Sequence, residues 1–229
     1  MPNALITGAS RGLGYALAAA LARQGWNLVV DARTGLDLSR AVTELSRHTH
    51  VTGVTGDVTA PAHRRRIAGA VAELGQLDLL VNNASTLGSS PLPKLADARL
   101  GDMEQVLRTN VVAPLAIFQS VLPYLAEEAT ILNITSDASI EAYQGWGMYG
   151  SSKAALDHLS AILAVEHPRL RVYALDPGDM RTQMHQDAFP GEDISDRPDP
   201  EDVVPRILAL LEQRPPSGRY RASEMVLAR

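Results

Sequence analysis

The sequence predicts an α/β fold, a doubly wound parallel sheet of about seven strands with helices on both faces, as a single domain over residues 1–229. Three observations carry that expectation. Short apolar runs alternate with longer helical runs along the whole chain, the β-α-β-α order of parallel strands joined by crossover helices. The first apolar run leads at once into a glycine-rich turn and an Ala/Leu-rich helix. Finally, 229 residues with 45% apolar composition suit one full core, and no linker-like or low-complexity stretch divides them.

Residues 3–7, NALIT, read as the first strand, cut off by Gly8. Gly8, Gly12 and Gly14 then mark a tight strand-to-helix turn, the helix running through the Ala/Leu stretch to Arg23 and stopping at Gly25. Such a turn lets backbone approach a pyrophosphate at the positive end of the helix. Residues 26–32 are the second strand, 36–47 a helix, and 51–57 a third strand ending near Asp57. The helix at 60–74 carries His63-Arg64-Arg65-Arg66, expected to be a solvated basic face without function. Residues 77–83, LDLLVNN, form a continuous apolar run, as a strand buried on both sides should. A loop over 86–100 precedes a long helix from about 101 to 126, with a kink expected at Pro114. Residues 129–135 are strand five, the helix containing Tyr149 and Lys153 follows, and 170–178 is strand six ending in a turn. Residues 179–200 have no clear period, as in a mobile lid. A helix at 201–213 and a short strand near 219–222 complete the chain.

Composition narrows the function classes. A net charge of −5 leaves no electrostatic footprint for nucleic acid. Without cysteine there is no disulfide, thiolate metal site or cysteine nucleophile. His48 and His50 lack a third ligand nearby, so no metal site is expected. The uninterrupted apolar runs fall short of the roughly 18 residues of a membrane span, and no targeting segment stands at the N-terminus. The expectation is a soluble cytoplasmic protein.

The chemistry gathers between Ser136 and Lys153. Ser136 falls at the C-terminal end of a buried strand, where open parallel sheets place their sites. Tyr149 and Lys153 stand four residues apart and so leave one face of a helix, one turn apart. An ammonium beside a phenol favours the phenolate, making the pair an acid or base for work near neutral pH.

Taken together, Thr7-Gly8-Ala9-Ser10-Arg11-Gly12-Leu13-Gly14, Asn82-Asn83-Ala84, Asn110, Ser136, Tyr149/Lys153 and Pro177-Gly178 resemble the classical short-chain dehydrogenase/reductase family, over essentially the whole chain. The resemblance implies a Rossmann-type fold, with a cofactor half at about 1–130 and a catalytic and substrate half at about 131–229. It implies Tyr149 as general acid/base, Ser136 holding the substrate oxygen, Lys153 on the nicotinamide ribose and lowering the Tyr149 pKa, and Asn110 positioning a water in a proton relay. Gly8, Gly12 and Gly14 would line the pyrophosphate, with Ser10, Arg11 and Leu13 also in the cofactor site, Asp57 and Val58 would contact the adenine, and Asn83 and Ala84 would pack by the adenosine ribose. Pro177, Gly178 and Thr182 would meet the nicotinamide end. Three positions depart from the pattern: Ser85 follows Asn-Asn-Ala where Gly is usual, Tyr173 replaces an Asn, and Asp179 puts a charge near the reactive end.

The implied activity is hydride transfer between a nicotinamide cofactor and a carbonyl or secondary alcohol. By the same resemblance the cofactor-selecting position is Ala32, which leaves room for a 2′-phosphate, while Asp31 points to the other side of the strand. Arg33 and Arg11 could clamp that phosphate, so NADP(H) is expected over NAD(H). A slip of one residue in the second strand would reverse this. The substrate pocket would draw on Asp137, Tyr143, Trp146, Met180 and Met184, suggesting an apolar or mixed small molecule. A homodimer or homotetramer is expected through the helices around 101–126 and 149–166, which carry surplus apolar residues. The rival readings are a cofactor-binding sensor or scaffold without turnover, and an epimerase-like enzyme, which would need a longer C-terminal substrate region.

Overall fold

The computed structural model describes residues 1–227. Seven parallel strands form one sheet in the order β3-β2-β1-β4-β5-β6-β7. They are β1 (Asn3–Ile6), β2 (Asn27–Ala32), β3 (Val51–Thr55), β4 (Leu77–Asn82), β5 (Leu125–Ile134), β6 (Arg171–Asp176) and β7 (Gly218–Arg221). The helices are α1 (Gly12–Arg23), α2 (Gly35–Leu45), α3 (Pro61–Leu74), α4 (Leu100–Leu107), α5 (Ala113–Val121), α6 (Gly147–Glu166), α7 (Gln183–Ala188) and α8 (Pro200–Gln213).

Alternation along the strands builds two cores, one on each face. Ala4, Ile6, Leu28, Val30, Ala32, Leu79 and Val81 join one core with α1, α2 and α8. Leu5, Val29, Leu80 and Ile131 face the other, with α3, α5 and α6. Burial on both faces is why these strands read as nearly unbroken apolar runs. The strand order reverses between β1 and β4, and α/β sheets open a crevice at that point, beyond the C-terminal strand ends.

Three expectations change. The long helix is interrupted just before Pro114: a π-helical turn at Arg108–Val112 separates α4 from α5, and Pro114 follows it inside the first turn of α5. Proline has no amide to donate to the carbonyl four residues back, which is Asn110, so the wide turn absorbs the mismatch. The helix also ends sooner, at a 3₁₀ turn over Leu122–Tyr124, and β5 begins at Leu125, which pairs with Leu77 before the register shifts. Thirdly, the stretch Leu100–Tyr124 is long and apolar enough to cross a membrane, with mean hydropathy 1.3. It is a core helix: Ala113, Ile117, Phe118 and Val121 pack under the sheet. Ile117, Phe118 and Leu163 are consumed by that core, while Leu100, Val112, Leu122, Ile162 and Val165 are exposed large apolar positions of these helices.

Gly14 shows what the glycine turn demands. A Cβ there would stand 2.5 Å from both the Gly8 carbonyl oxygen and Asn83 Nδ2, so only glycine lets α1 seat against the β1 and β4 ends. Overpacking of this kind costs about 1–3 kcal/mol or more. Gly14→Ala is therefore expected to lower Tm by roughly 5–10 °C in a melt of the purified protein. An unchanged Tm would show that the turn relaxes freely.

Candidate active site

The principal cleft, about 590 Å³, lies across the C-terminal ends of the strands. That volume is within the usual range for ligand sites. One end is built by the glycine turn. Gly8 and Gly12 have φ of +65° and +57°, and with Ser10, Arg11 and Leu13 they line the wall. Gly14 does not line it; it packs beneath the turn, so its expected contact with a pyrophosphate gives way to a packing role. Arg11 at the N-cap of α1 makes no side-chain capping bond, and the first turn has no acidic residue. The amides of that turn thus keep their affinity for an anion. Thr7 Oγ1 accepts from the amides of Asn83 and Ala84, both at 3.0 Å, and Asn83 Nδ2 donates to the carbonyls of Thr7 and Gly8. These bonds tie the two strand ends that flank the crevice.

Ala32, Arg33, Asp57 and Val58 line the cleft beyond the glycine turn. Burial pushes the Asp57 carboxyl up, but the Thr59 amide and hydroxyl, with Arg33 and His63 nearby, outweigh it and hold the pKa below the usual value. Asp31 also borders the cleft, yet it is 1% exposed and its oxygens are engaged by the Gly8 amide and His63 Nε2, each at 2.8 Å. The register is therefore the expected one: Ala32 joins the α1 core, while Asp31 follows Val29 to the α3 face. The expected solvated basic face on α3 holds for Arg65 and Arg66, which are exposed, and is corrected at His63 by the same contact. His63 is 2% exposed, Arg64 donates to the Val58 carbonyl and Arg66 to that of Thr55. Periodicity alone cannot see a partner that arrives from another strand.

At the other end Ser136, Tyr149 and Lys153 line one wall together. Ser136 follows β5 and caps a 3₁₀ turn over Asp137–Ser139. Tyr149 and Lys153 lie in the first two turns of α6, and Trp146, just before it, meets the Tyr149 ring edge-on at 5.7 Å. Lys153 is 2% exposed; its Nζ donates to the Ile134 carbonyl at 2.7 Å and sits 5.3 Å above the Tyr149 ring. Burial lowers its pKa to about 8, against a smaller opposing effect of Asp157. Burial dominates at Tyr149 too and pushes the phenol well up; the Ser136 and Ser85 hydroxyls pull it down, while Asp176 and Asp137 add to the rise. This corrects the expectation of a Lys-lowered phenol: in the cleft as built, Nζ is bonded to a carbonyl, and desolvation of the phenolate decides. The Ser136 hydroxyl donates to Asp137 Oδ1 at 2.9 Å, so it must turn to reach a substrate oxygen.

Asn110 stands away from the cleft wall, buried in the π turn. Its Oδ1 accepts from the Thr86 amide and the Ser85 hydroxyl, and its Nδ2 donates to the Thr86 carbonyl and Ser152 Oγ. With every side-chain bond committed, it braces the loop after β4 against α6. Ser85, following Asn-Asn-Ala, is absent from the positive-φ residues and so needs no glycine there. Tyr173 is fully buried and donates to the Pro215 carbonyl.

Pro177, Gly178, Asp179, Met180, Thr182 and Met184 line the reactive end, as do Asp137 and Trp146. Tyr143 does not: it is 47% exposed and donates to Asp137 Oδ2 at 3.0 Å from outside the cleft. The segment expected as an aperiodic lid contains α7, capped by Thr182, whose Oγ1 accepts from the His185 amide. Met180 precedes that helix, so the two methionines reach the cleft from different backbone. Asp179 sits within 3.7 Å of His185 Nδ1 and 3.6 Å of Arg197, and Arg181 pairs with Asp199, which closes the segment with ion pairs.

Sequence reasoning missed Leu87, Thr135, Asp176 and Arg219. Leu87 packs with Tyr149 and Ala188, with Met184 and Phe189 against them. Asp176, at the end of β6, is bracketed by Arg219 and Arg221 at 3.4 and 3.8 Å. Arg219 also donates to the Ser136 carbonyl at 3.0 Å and to Asp157 at 3.1 Å, so the last strand reaches under the reactive wall. Asp176 had a signal, standing before Pro177 at a strand end. Arg219 had none.

A family model described as short chain dehydrogenase matches residues 2–193. Sepiapterin reductase of Mus musculus is 33% identical over 197 residues, covering 80% of this chain and 76% of its own. Among solved structures, a short chain dehydrogenase from Salmonella enterica serovar Typhi superposes with a TM-score of 0.88 at 26% identity, over 96% of this chain and 95% of that one. An alcohol dehydrogenase from Thermococcus sibiricus, complexed with 5-hydroxy-NADP, gives 0.84 at 26% identity, over 96% and 95%. The chain belongs to the short-chain dehydrogenase/reductase family, as an NAD(P)-dependent oxidoreductase.

Proposed function

We propose that this protein uses NADP(H) to reduce a small carbonyl compound, with Tyr149 as the acid. The observation that carries the reading is a single cleft with an anion-receptive glycine turn at one end and Ser136, Tyr149 and Lys153 on one wall at the other. The residues fit a dinucleotide: free amides at the start of α1 for a pyrophosphate, Asp57 and Val58 beside an adenine, Gly178 and Thr182 beside a nicotinamide. When bound, the nicotinamide supplies the hydride. The protein's part is the proton and the charge. Tyr149, held protonated by burial, is suited to donate to the carbonyl oxygen. Ser136, turned from Asp137, donates to the same oxygen and stabilises its developing charge. Lys153 presents a cation behind the phenol, and Trp146, Phe189 and Met184 pack as an apolar cluster beside it. That apolar cluster and the acidic Asp137 support a neutral or mixed substrate over a polyanionic one.

NADP(H) is favoured by Ala32 and Arg33 on the wall, with Asp31 turned to α3, and a structural neighbour bears an NADP derivative. One charge-assisted bond to a 2′-phosphate amounts to about tenfold or more in preference. The expected result is a kcat/KM for NADPH at least about tenfold above that for NADH on any accepted carbonyl. Equal values, or a preference for NADH, would end the NADP(H) assignment.

A further inference from the structure

Asp31 presents a difficulty for a site that takes a 2′-phosphate. A carboxylate borders the same end of the cleft as Ala32 and Arg33, one residue from the position the phosphate would meet. Free to turn, it would repel a dianion. The structure ties it down from two sides, through the Gly8 amide on Oδ1 and His63 Nε2 on Oδ2.

The hold on Oδ2 is built with care from three elements. His63 lies in the first turn of α3 and its ring fills the space under Gly56, where a Cβ would stand 2.4 Å from Nδ1. Arg66, one turn on, approaches Nδ1 at 3.3 Å while donating to the Thr55 carbonyl at 2.7 Å. A guanidinium only donates, so its approach to Nδ1 matches the tautomer that carries its proton on Nε2, facing Asp31. Arg66, His63 and Asp31 thus form one directional chain from α3 to the glycine turn.

We propose that His63 is a positioning residue for cofactor selection: it holds the Asp31 carboxylate on the α3 side of β2, away from the wall that receives the adenosine 2′-phosphate. The proposal rests on the NADP(H) reading above. Selectivity here comes from restraining a repulsive group as well as from an attractive arginine.

The test is binding of NADPH and NADH to the purified protein, followed by the fluorescence of the reduced nicotinamide, which needs no substrate. His63→Ala is expected to weaken NADPH far more than NADH, lowering the NADPH preference by about tenfold. His63→Gln, whose amide can still donate to Asp31, is expected to keep most of the preference. Asp31→Asn in the His63→Ala background removes the charge and should restore NADPH binding. Equal weakening of both cofactors in His63→Ala, or no restoration in the double variant, overturns the proposal. If His63→Ala does not fold, the double variant, with no unpaired buried charge, carries the test: NADPH binding near wild type supports it, and selective loss of NADPH refutes it. A wild-type protein with no NADPH preference would defeat the cofactor assignment alone, since His63 is judged on the variant-to-wild-type change in the ratio.

Discussion

Tyr149→Phe is expected to lower kcat by at least about 10²-fold, the usual contribution of a positioned acid, while cofactor affinity stays the same. The substitution deletes one oxygen and keeps the ring, so the edge-on contact with Trp146 and the packing against Leu87 and Ala188 persist. What is lost is the proton donor beside Ser136. Because burial holds the phenol protonated, the wild-type enzyme should reduce carbonyls well at neutral pH and oxidise alcohols better as the pH rises. Steady-state rates for the variant on any accepted substrate decide the matter, and near-normal turnover would remove Tyr149 from the chemistry.

Lys153→Met should be nearly as damaging to turnover, by about 10²-fold, since the cation behind the phenol goes with it. Its effect on stability separates electrostatics from packing. Lys153 has a folded-state pKa of about 8 against 10.5 ordinarily, because its ammonium is buried. Between those values the unfolded chain keeps a proton that the folded protein has released, so unfolding becomes harder as the pH rises through that window. The wild type should therefore gain on the order of 3 kcal/mol relative to Lys153→Met between about pH 8 and 10.5. At pH 7 the methionine variant escapes the cost of a buried charge but leaves the Ile134 carbonyl without its donor. Denaturant titrations of both proteins across the window test the sign: a difference that does not change with pH would mean that Lys153 titrates normally.

The sequence disclosed the parts of this protein that follow from local rules. Strand positions, the glycine turn and the one-turn spacing of Tyr149 and Lys153 are all short-range properties, and the structure places them within a few residues of expectation. Long-range partners were illegible. His63 looked like one member of a basic run because Asp31, which engages it, lies 32 residues earlier on another strand. Tyr143 looked like a pocket residue because aromatics near a site usually line it, yet its hydroxyl turns to the outer side of Asp137. The direction of the Tyr149 shift depends on how thoroughly the ring is buried, which helical spacing does not report. The π turn had a cue in Pro114, but the proline was read as the kink itself.

The strand order has a bearing on how the molecule is made. β2 and β3 add in turn to one side of β1, and β4, β5, β6 and β7 then add in turn to the other. No strand has to be inserted between two that are already paired, so the sheet can grow at its edges in the order the chain leaves the ribosome. The glycine turn, the end of β3 and the Asn83 tie belong to the first half of that process. Arg219, which meets the Ser136 carbonyl and Asp176, belongs to the last strand. The nucleotide end can thus assemble early, while the reactive wall receives its final support only as synthesis finishes.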